Sequence, residues 1–187
     1  MNLNSVVGAG WLLFLAYWWI SAVGVKKSVR RPSWKVETAI RVVAVAVIVL
    51  LVRAPSLRAF LRPPPVPNDS LVQGAGLAIC FAGFALAVWA RRHLGRNWGM
   101  PMTLKEGHDL VTTGPYRYVR HPIYTGMLVA MLGSALVAGR LWLAVLLAMF
   151  LYCLYSARVE EGIMLRQFPA QYAEYKRRTK ALIPFVL

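Results

Sequence analysis

The chain has 187 residues, enough for one domain. Hydrophobic residues make up 58% and charged residues 16%, where a soluble domain carries about a quarter charged residues; with the apolar residues grouped in long blocks, an ordinary soluble protein is excluded and a membrane protein expected. A net charge of +15 would suggest nucleic acid in a soluble domain, but the basic residues fill the gaps between apolar blocks and no recognition motif accompanies them, so membrane topology explains them and no nucleic-acid partner is expected.

The first block runs from about Val6 to Val25 and carries Trp11, Tyr17, Trp18 and Trp19, aromatic residues of the kind favoured at the bilayer interface. It lacks a basic leader and a small-residue cleavage site, so a retained span is expected rather than a signal peptide. The second block, about Ile40 to Val52, is rich in valine. An open strand in lipid would leave its backbone unsatisfied, so helix is expected there too. The segment Pro63-Pro64-Pro65-Val66-Pro67 is a loop, because proline removes the donors a helix needs. The third block, about Leu71 to Ala90, contains Gly74, Gly76 and Gly83, small residues that let membrane helices approach closely. They form no dinucleotide fingerprint, since neither a third glycine at the right spacing nor a preceding strand accompanies them. Cys80 and Cys153 sit in the middle of apolar blocks and are expected as buried thiols, with no disulfide and no metal spacing.

The longest polar stretch runs from Arg91 to Arg120, and structured segments of this length are often functional. Gly114-Pro115 marks a turn. The fourth block runs from about Ile123 to Ala138, with Pro122 suited to the first turn of its helix. The fifth runs from about Leu141 to Ala157. Only Gly139 and Arg140 separate the two, which predicts a tight antiparallel helical hairpin. The fifth helix is expected to continue towards Phe168, where Pro169 marks a break. The basic tail from Gln171 to Lys180, with Tyr172 and Tyr175 at helical spacing, reads as a short interfacial helix.

The expected fold is therefore an all-α integral membrane protein of five transmembrane helices, the last two forming a hairpin. Residues 1–69 hold the two N-terminal spans and the proline-rich loop; residues 70–187 hold three spans, the polar loop and the tail. With five spans and the C-terminus inside, all of the 22 lysines and arginines except Arg53, Arg58, Arg62 and Arg140 fall on the inner side. That asymmetry favours N-terminus out and C-terminus in, with the polar loop and the tail both facing the cytoplasm.

Two segments carry the candidate chemistry: Gly107 to Gly126, reading GHDLVTTGPYRYVRHPIYTG, and Arg158 to Leu187, reading RVEEGIMLRQFPAQYAEYKRRTKALIPFVL. The run LVTTGPYRYVRHPIYTG resembles the signature of the isoprenylcysteine carboxyl methyltransferases and the related phospholipid methyltransferases. The tail resembles that family's paired glutamates followed by a leucine, an FP or FG dipeptide, spaced tyrosines and a terminal IPF, and LGRNWG (Leu94 to Gly99) fits its bacterial members. The resemblance covers roughly residues 70 to 187 and does not extend to the first two spans. It implies an enzyme that transfers a methyl group from S-adenosylmethionine, releasing S-adenosylhomocysteine, to a lipophilic acceptor such as an isoprenylcysteine carboxylate. A phospholipid amine and a smaller thiol or acid are the alternatives. It implies a cofactor site drawn from His108, Leu110, Val111, Tyr116, His121, Pro122, Tyr124, Glu160 and Glu161. Arg120 and Glu161 are the expected catalytic residues, with Asn97, Trp98 and Arg120 on the acceptor side.

The residue types give their own account. Arg120 and His121 stand at the N-terminal mouth of the fourth helix, where free N–H groups and the positive dipole end favour an anion. Arg120 suits a bidentate carboxylate, though an inside-positive arginine bound to lipid phosphate fits the same position. Only seven acidic residues exist in the chain, so the adjacent pair Glu160–Glu161 is informative. A carboxylate there can accept from an amino group or ribose hydroxyls and offset a sulfonium charge; equally, Glu161 can pair with Arg158 on one helix face. Tyr116 and Tyr124 can pack on adenine, line a lipid opening or anchor the interface. His108 and His121 lack a third ligand, so no metal is expected, and His93 reads as surface. Arginine outnumbers lysine 16 to 6, which suggests a bacterium and hence its cytoplasmic membrane, where a prenylated protein is not the expected acceptor. A transporter would require ionisable groups inside the spans, and a non-catalytic scaffold would not require the signature.

Overall fold

The structure, a computed structural model, describes residues 2–23, 28–30, 42, 70–99, 104–105 and 109–184. Its helices are α1 (Leu3–Ser21), α2 (Ser70–Leu94), α3 (Pro122–Ala138), α4 (Arg140–Gln167) and α5 (Pro169–Arg178). Short 3₁₀ turns cover Gly95–Asn97 and Gly114–Arg117. The expected second span, about Ile40 to Val52, lies outside the described residues except for Val42. One departure from an all-helical reading is a small antiparallel ribbon of β1 (Ser28–Arg30) and β2 (Leu104–Lys105).

Among the described residues three helices, Leu3–Ser21, Ser70–Asn97 and Leu141–Gln167, are long and apolar enough to cross a membrane, and Pro122–Ala138 is apolar but shorter. The breaks fall where proline and glycine put them. Pro122 occupies the first turn of α3, and Pro169 ends α4 and begins α5. Gly139 alone joins α3 to α4; its φ of 94° lies in the left-handed region that favours glycine. On α4, Leu143, Leu147, Leu151 and Tyr155 are all exposed at four-residue spacing, a stripe suited to lipid contact.

Helices α2 and α3 run antiparallel and touch backbone to backbone. Gly83 faces Gly126 and Gly76 faces Gly133, the two contacts lying seven residues apart along each helix. A Cβ on Gly126 would stand 2.6 Å from the Ala87 nitrogen and 2.7 Å from the Gly83 oxygen. The expected close approach through Gly76 and Gly83 is therefore real, while Gly74 has open space around it.

Helix α1 lies parallel to α2, with Phe14 stacked on Phe84 (4.9 Å between ring centroids) and in one core with Cys80, Ala87 and Ala130. Trp11, expected at the bilayer interface, instead sits inside the bundle: it stacks on Trp142 of α4 at 5.4 Å, and its indole N–H donates to Ser134 Oγ of α3 at 3.0 Å. An indole N–H deep in apolar surroundings needs an acceptor, and Ser134 supplies it. Cys80 and Cys153 are buried free thiols.

Candidate active site

The signature loop is folded around Gly114. Its φ of 59° suits glycine, and a side chain there would strike the His93 ring. His93, expected as plain surface, therefore has a structural part. Its Nε2 lies 2.9 Å from Thr113 Oγ1 and its ring stacks on Tyr116, tying the end of α2 to the loop. Tyr116 is buried, and its backbone carbonyl accepts from the Tyr175 hydroxyl of α5 at 2.6 Å.

The tail docks on the same loop. Val119 pairs with Lys180 in a parallel bridge, and the backbone N–H groups of Arg120 and His121 donate to the carbonyls of Lys180 (2.8 Å) and Ala181 (3.0 Å). Thr125 Oγ1 donates to the Leu182 carbonyl at 2.6 Å, and the Leu182 side chain is wholly buried. The two N–H groups just ahead of α3 are thus satisfied by the chain's own backbone.

Ionic contacts complete the junction. Arg120 Nε donates to Glu161 Oε1 at 2.7 Å, and its guanidinium also donates to the carbonyls of Thr179 and, at 3.4 Å, Lys176. Lys176 Nζ holds the other oxygen of Glu161 at 2.7 Å. His121 lies between the two glutamates, Nδ1 at 3.4 Å from Glu160 Oε2 and Nε2 at 3.6 Å from Glu161 Oε1. Burial opposes a charge on His121, but hydrogen bonding and the charges of Glu160 and Glu161 outweigh it and raise its pKa. Tyr124 stacks on His121 at 5.5 Å and donates its hydroxyl to Glu160.

Beside this junction opens a cavity of about 640 Å³, within the usual range for a small-molecule site. Of the residues expected at the cofactor site, Leu110, Val111, Tyr116, His121, Tyr124 and Glu160 line it, as do Asn97, Trp98 and Arg120 from the acceptor set. Two do not: Pro122 is buried in the first turn of α3, and Glu161 is turned to Arg120 and Lys176. His108 lies outside the described residues. Sequence reasoning missed Tyr172 and Tyr175 as lining residues, although their helical spacing was visible. It also missed the three methionines Met127, Met149 and Met164, and Trp18, Trp19 and Ala22 of α1. A methionine or tryptophan in an apolar block reads the same whether it faces lipid or a cavity.

Residues 72–171 match the phospholipid methyltransferase family, and the chain belongs to that family. Among curated proteins it is 32% identical over 120 residues to the nickel-cobalt-cadmium resistance protein NccN of Alcaligenes xylosoxydans xylosoxydans, covering 63% of this chain and 54% of that one. It is 29% identical over 121 residues to the protein-S-isoprenylcysteine O-methyltransferase of Schizosaccharomyces pombe, covering 63% and 51%. With protein-S-isoprenylcysteine O-methyltransferase B of Arabidopsis thaliana it shares 29% over 127 residues, covering 66% and 64%. The chain spans about half the length of the first of these relatives. The fold is similar to the solved eukaryotic intramembrane Ras methyltransferase ICMT, with a TM-score of 0.59 at 23% identity, over 84% of this chain and 55% of that one.

Proposed function

We propose that the protein is a membrane methyltransferase that uses S-adenosylmethionine and acts on a lipophilic acceptor. The observation that carries this reading is the cavity where the signature loop and the tail meet, lined by Glu160, His121 and Tyr124. The residues present fit the cofactor. Glu160 offers a carboxylate to a cationic ligand, the buried His121 Nε2 lies 3.6 Å from Glu161, just beyond hydrogen-bond reach, and Tyr116, Tyr124 and Tyr172 offer aromatic surface. When bound, the cofactor supplies an electrophilic methyl group on a sulfonium.

The chain supplies alignment and a dry, shaped site. Tyr124 and His121 orient Glu160 from two sides. Arg120, Glu161 and Lys176 hold the tail against the signature, so the wall carrying Tyr172 and Tyr175 stays in place. A carboxylate acceptor has no proton to lose and gains from the positive Arg120 on the cavity wall, which favours carboxyl O-methylation of an isoprenylcysteine-like acceptor. A phospholipid amine is the second reading, supported by the family match; Glu160, rather than Glu161, is then the carboxylate placed to accept its proton. A non-catalytic scaffold is the reading of another class.

The parallel course of α1 and α2 supports a return crossing between them and so the five-span topology, N-terminus out and C-terminus in, with residues 1–69 holding two N-terminal spans and the proline-rich loop and 70–187 the methyltransferase core. The clustering of Arg91, Arg120, Arg158 and the tail cations supports a cytoplasmic active site in a bacterial membrane. The test is transfer of labelled methyl groups from S-adenosylmethionine by the purified protein. N-acetyl-S-farnesylcysteine and phosphatidylethanolamine vesicles are offered separately. Labelling of the first alone supports O-methylation, labelling of the second alone supports the amine reading, and labelling of neither by folded protein leaves the scaffold.

A further inference from the structure

Trp18, Trp19 and Ala22, at the end of α1, line the cavity and lie outside the stretch that matches the family. Trp18 meets Trp98 edge to face, with centroids 5.8 Å apart, and Met127 and Met149 extend the same apolar lining. Indole and thioether surfaces suit a flexible apolar chain, because both are polarizable and methionine adapts its shape. Trp19 is 79% exposed, and its neighbours Ile20 and Val23 are 74% and 83% exposed. An apolar lip of this kind on a membrane helix faces the bilayer, so the wall continues from lipid into the cavity.

One buried arginine sets where this wall stands. Arg91 is 4% exposed, near the end of the apolar α2. Burying a guanidinium is costly unless its donors are satisfied. Here Nη1 donates to the Gly95 carbonyl at 2.9 Å and Nη2 to the Ser21 carbonyl of α1, while Nε is buried without a hydrogen-bond partner and the guanidinium lies 4.4 Å from the centre of the Trp98 ring. Arg91 therefore joins the end of α1, the turn after α2 and Trp98 in one cluster. A lysine could not reproduce it, because an ammonium lacks the flat fork.

We propose that Trp18, Trp19 and Ala22, with Trp98, form the wall that selects the acceptor by its apolar chain, and that Arg91 is the residue that positions it. This rests on the methyltransferase reading above. The test uses the full chain in nanodiscs, loaded with S-adenosylhomocysteine, and measures binding of N-acetylcysteine carrying S-dimethylallyl, S-geranyl or S-farnesyl chains. Wild type binds more tightly as the chain lengthens. Ala22→Trp fills the wall and weakens the farnesyl probe by about tenfold or more, while the dimethylallyl probe and S-adenosylhomocysteine bind as before. Arg91→Lys flattens the chain-length series with S-adenosylhomocysteine binding retained; if that variant does not fold, Ala22→Trp carries the test. Chain-length preference unchanged in Ala22→Trp overturns the proposal, as does a wild type that binds S-adenosylhomocysteine and none of the probes. A folded wild type that does not bind S-adenosylhomocysteine overturns the underlying methyltransferase reading instead.

Discussion

Adjacent side chains on an α-helix point about 100° apart, and Glu160 and Glu161 sit either side of such a step. Glu160 faces the cavity under the Tyr124 hydroxyl, while Glu161 turns to Arg120 and Lys176 and binds the tail. Their substitutions should therefore differ. Arg120→Lys keeps the charge but cannot serve Glu161 and two carbonyls together, and should destabilise the tail junction by about 2–3 kcal/mol, read as a lower Tm and faster proteolysis after Phe168. His121 gives a pH test. Its pKa is raised in the folded protein, so its stabilising charge is fully present below the ordinary histidine value of about 6.5 and is lost as pH rises through the folded value. The Tm advantage of wild type over His121→Asn should shrink steadily as pH is raised above neutral, and a constant advantage would show that the imidazolium is not what holds the pair.

At the scale of the element, the stops were legible and the faces were not. Pro122, Gly139 and Pro169 each change what the backbone can do, so the hairpin and the tail helix were visible in sequence. The glycines signalled close packing, but not that Gly83 meets Gly126 and Gly76 meets Gly133, because pairing depends on the register between two helices. That register gives a prediction with an internal control. Gly126→Ala should cost about 1–3 kcal/mol through overpacking, whereas Gly74→Ala and Gly162→Ala, inside helices with nothing within 4 Å, should raise stability by about 0.5–1 kcal/mol through helix propensity. Equal effects at all three positions would contradict the backbone contact. Helix α1 was the least legible element. A tryptophan-rich apolar run looks alike in lipid and in a bundle, and only the Trp11–Ser134 hydrogen bond and the Phe14–Phe84 stack reveal the inner face.

For the whole molecule, the sequence motifs converged because both flank helix ends at one end of the bundle. Six of the expected cofactor residues line a single cavity, brought together from the signature loop, α3 and α4. What the sequence could not carry was the backbone docking of Lys180 and Ala181 on Arg120 and His121, which depends on no side chain. Sidedness can be tested directly. With Cys80 and Cys153 buried, Leu71→Cys and Arg178→Cys should react with an impermeant maleimide from opposite faces of oriented vesicles, Arg178→Cys from the cytoplasmic face. The central claim is that the cavity beside Glu160 holds the cofactor, and calorimetry of S-adenosylhomocysteine with detergent-purified wild type and Glu160→Gln tests it most directly. The account predicts binding by wild type, weakened about tenfold or more in the variant by loss of a charge-assisted hydrogen bond. Equal affinity in the two proteins, or no binding by folded wild type, would contradict it.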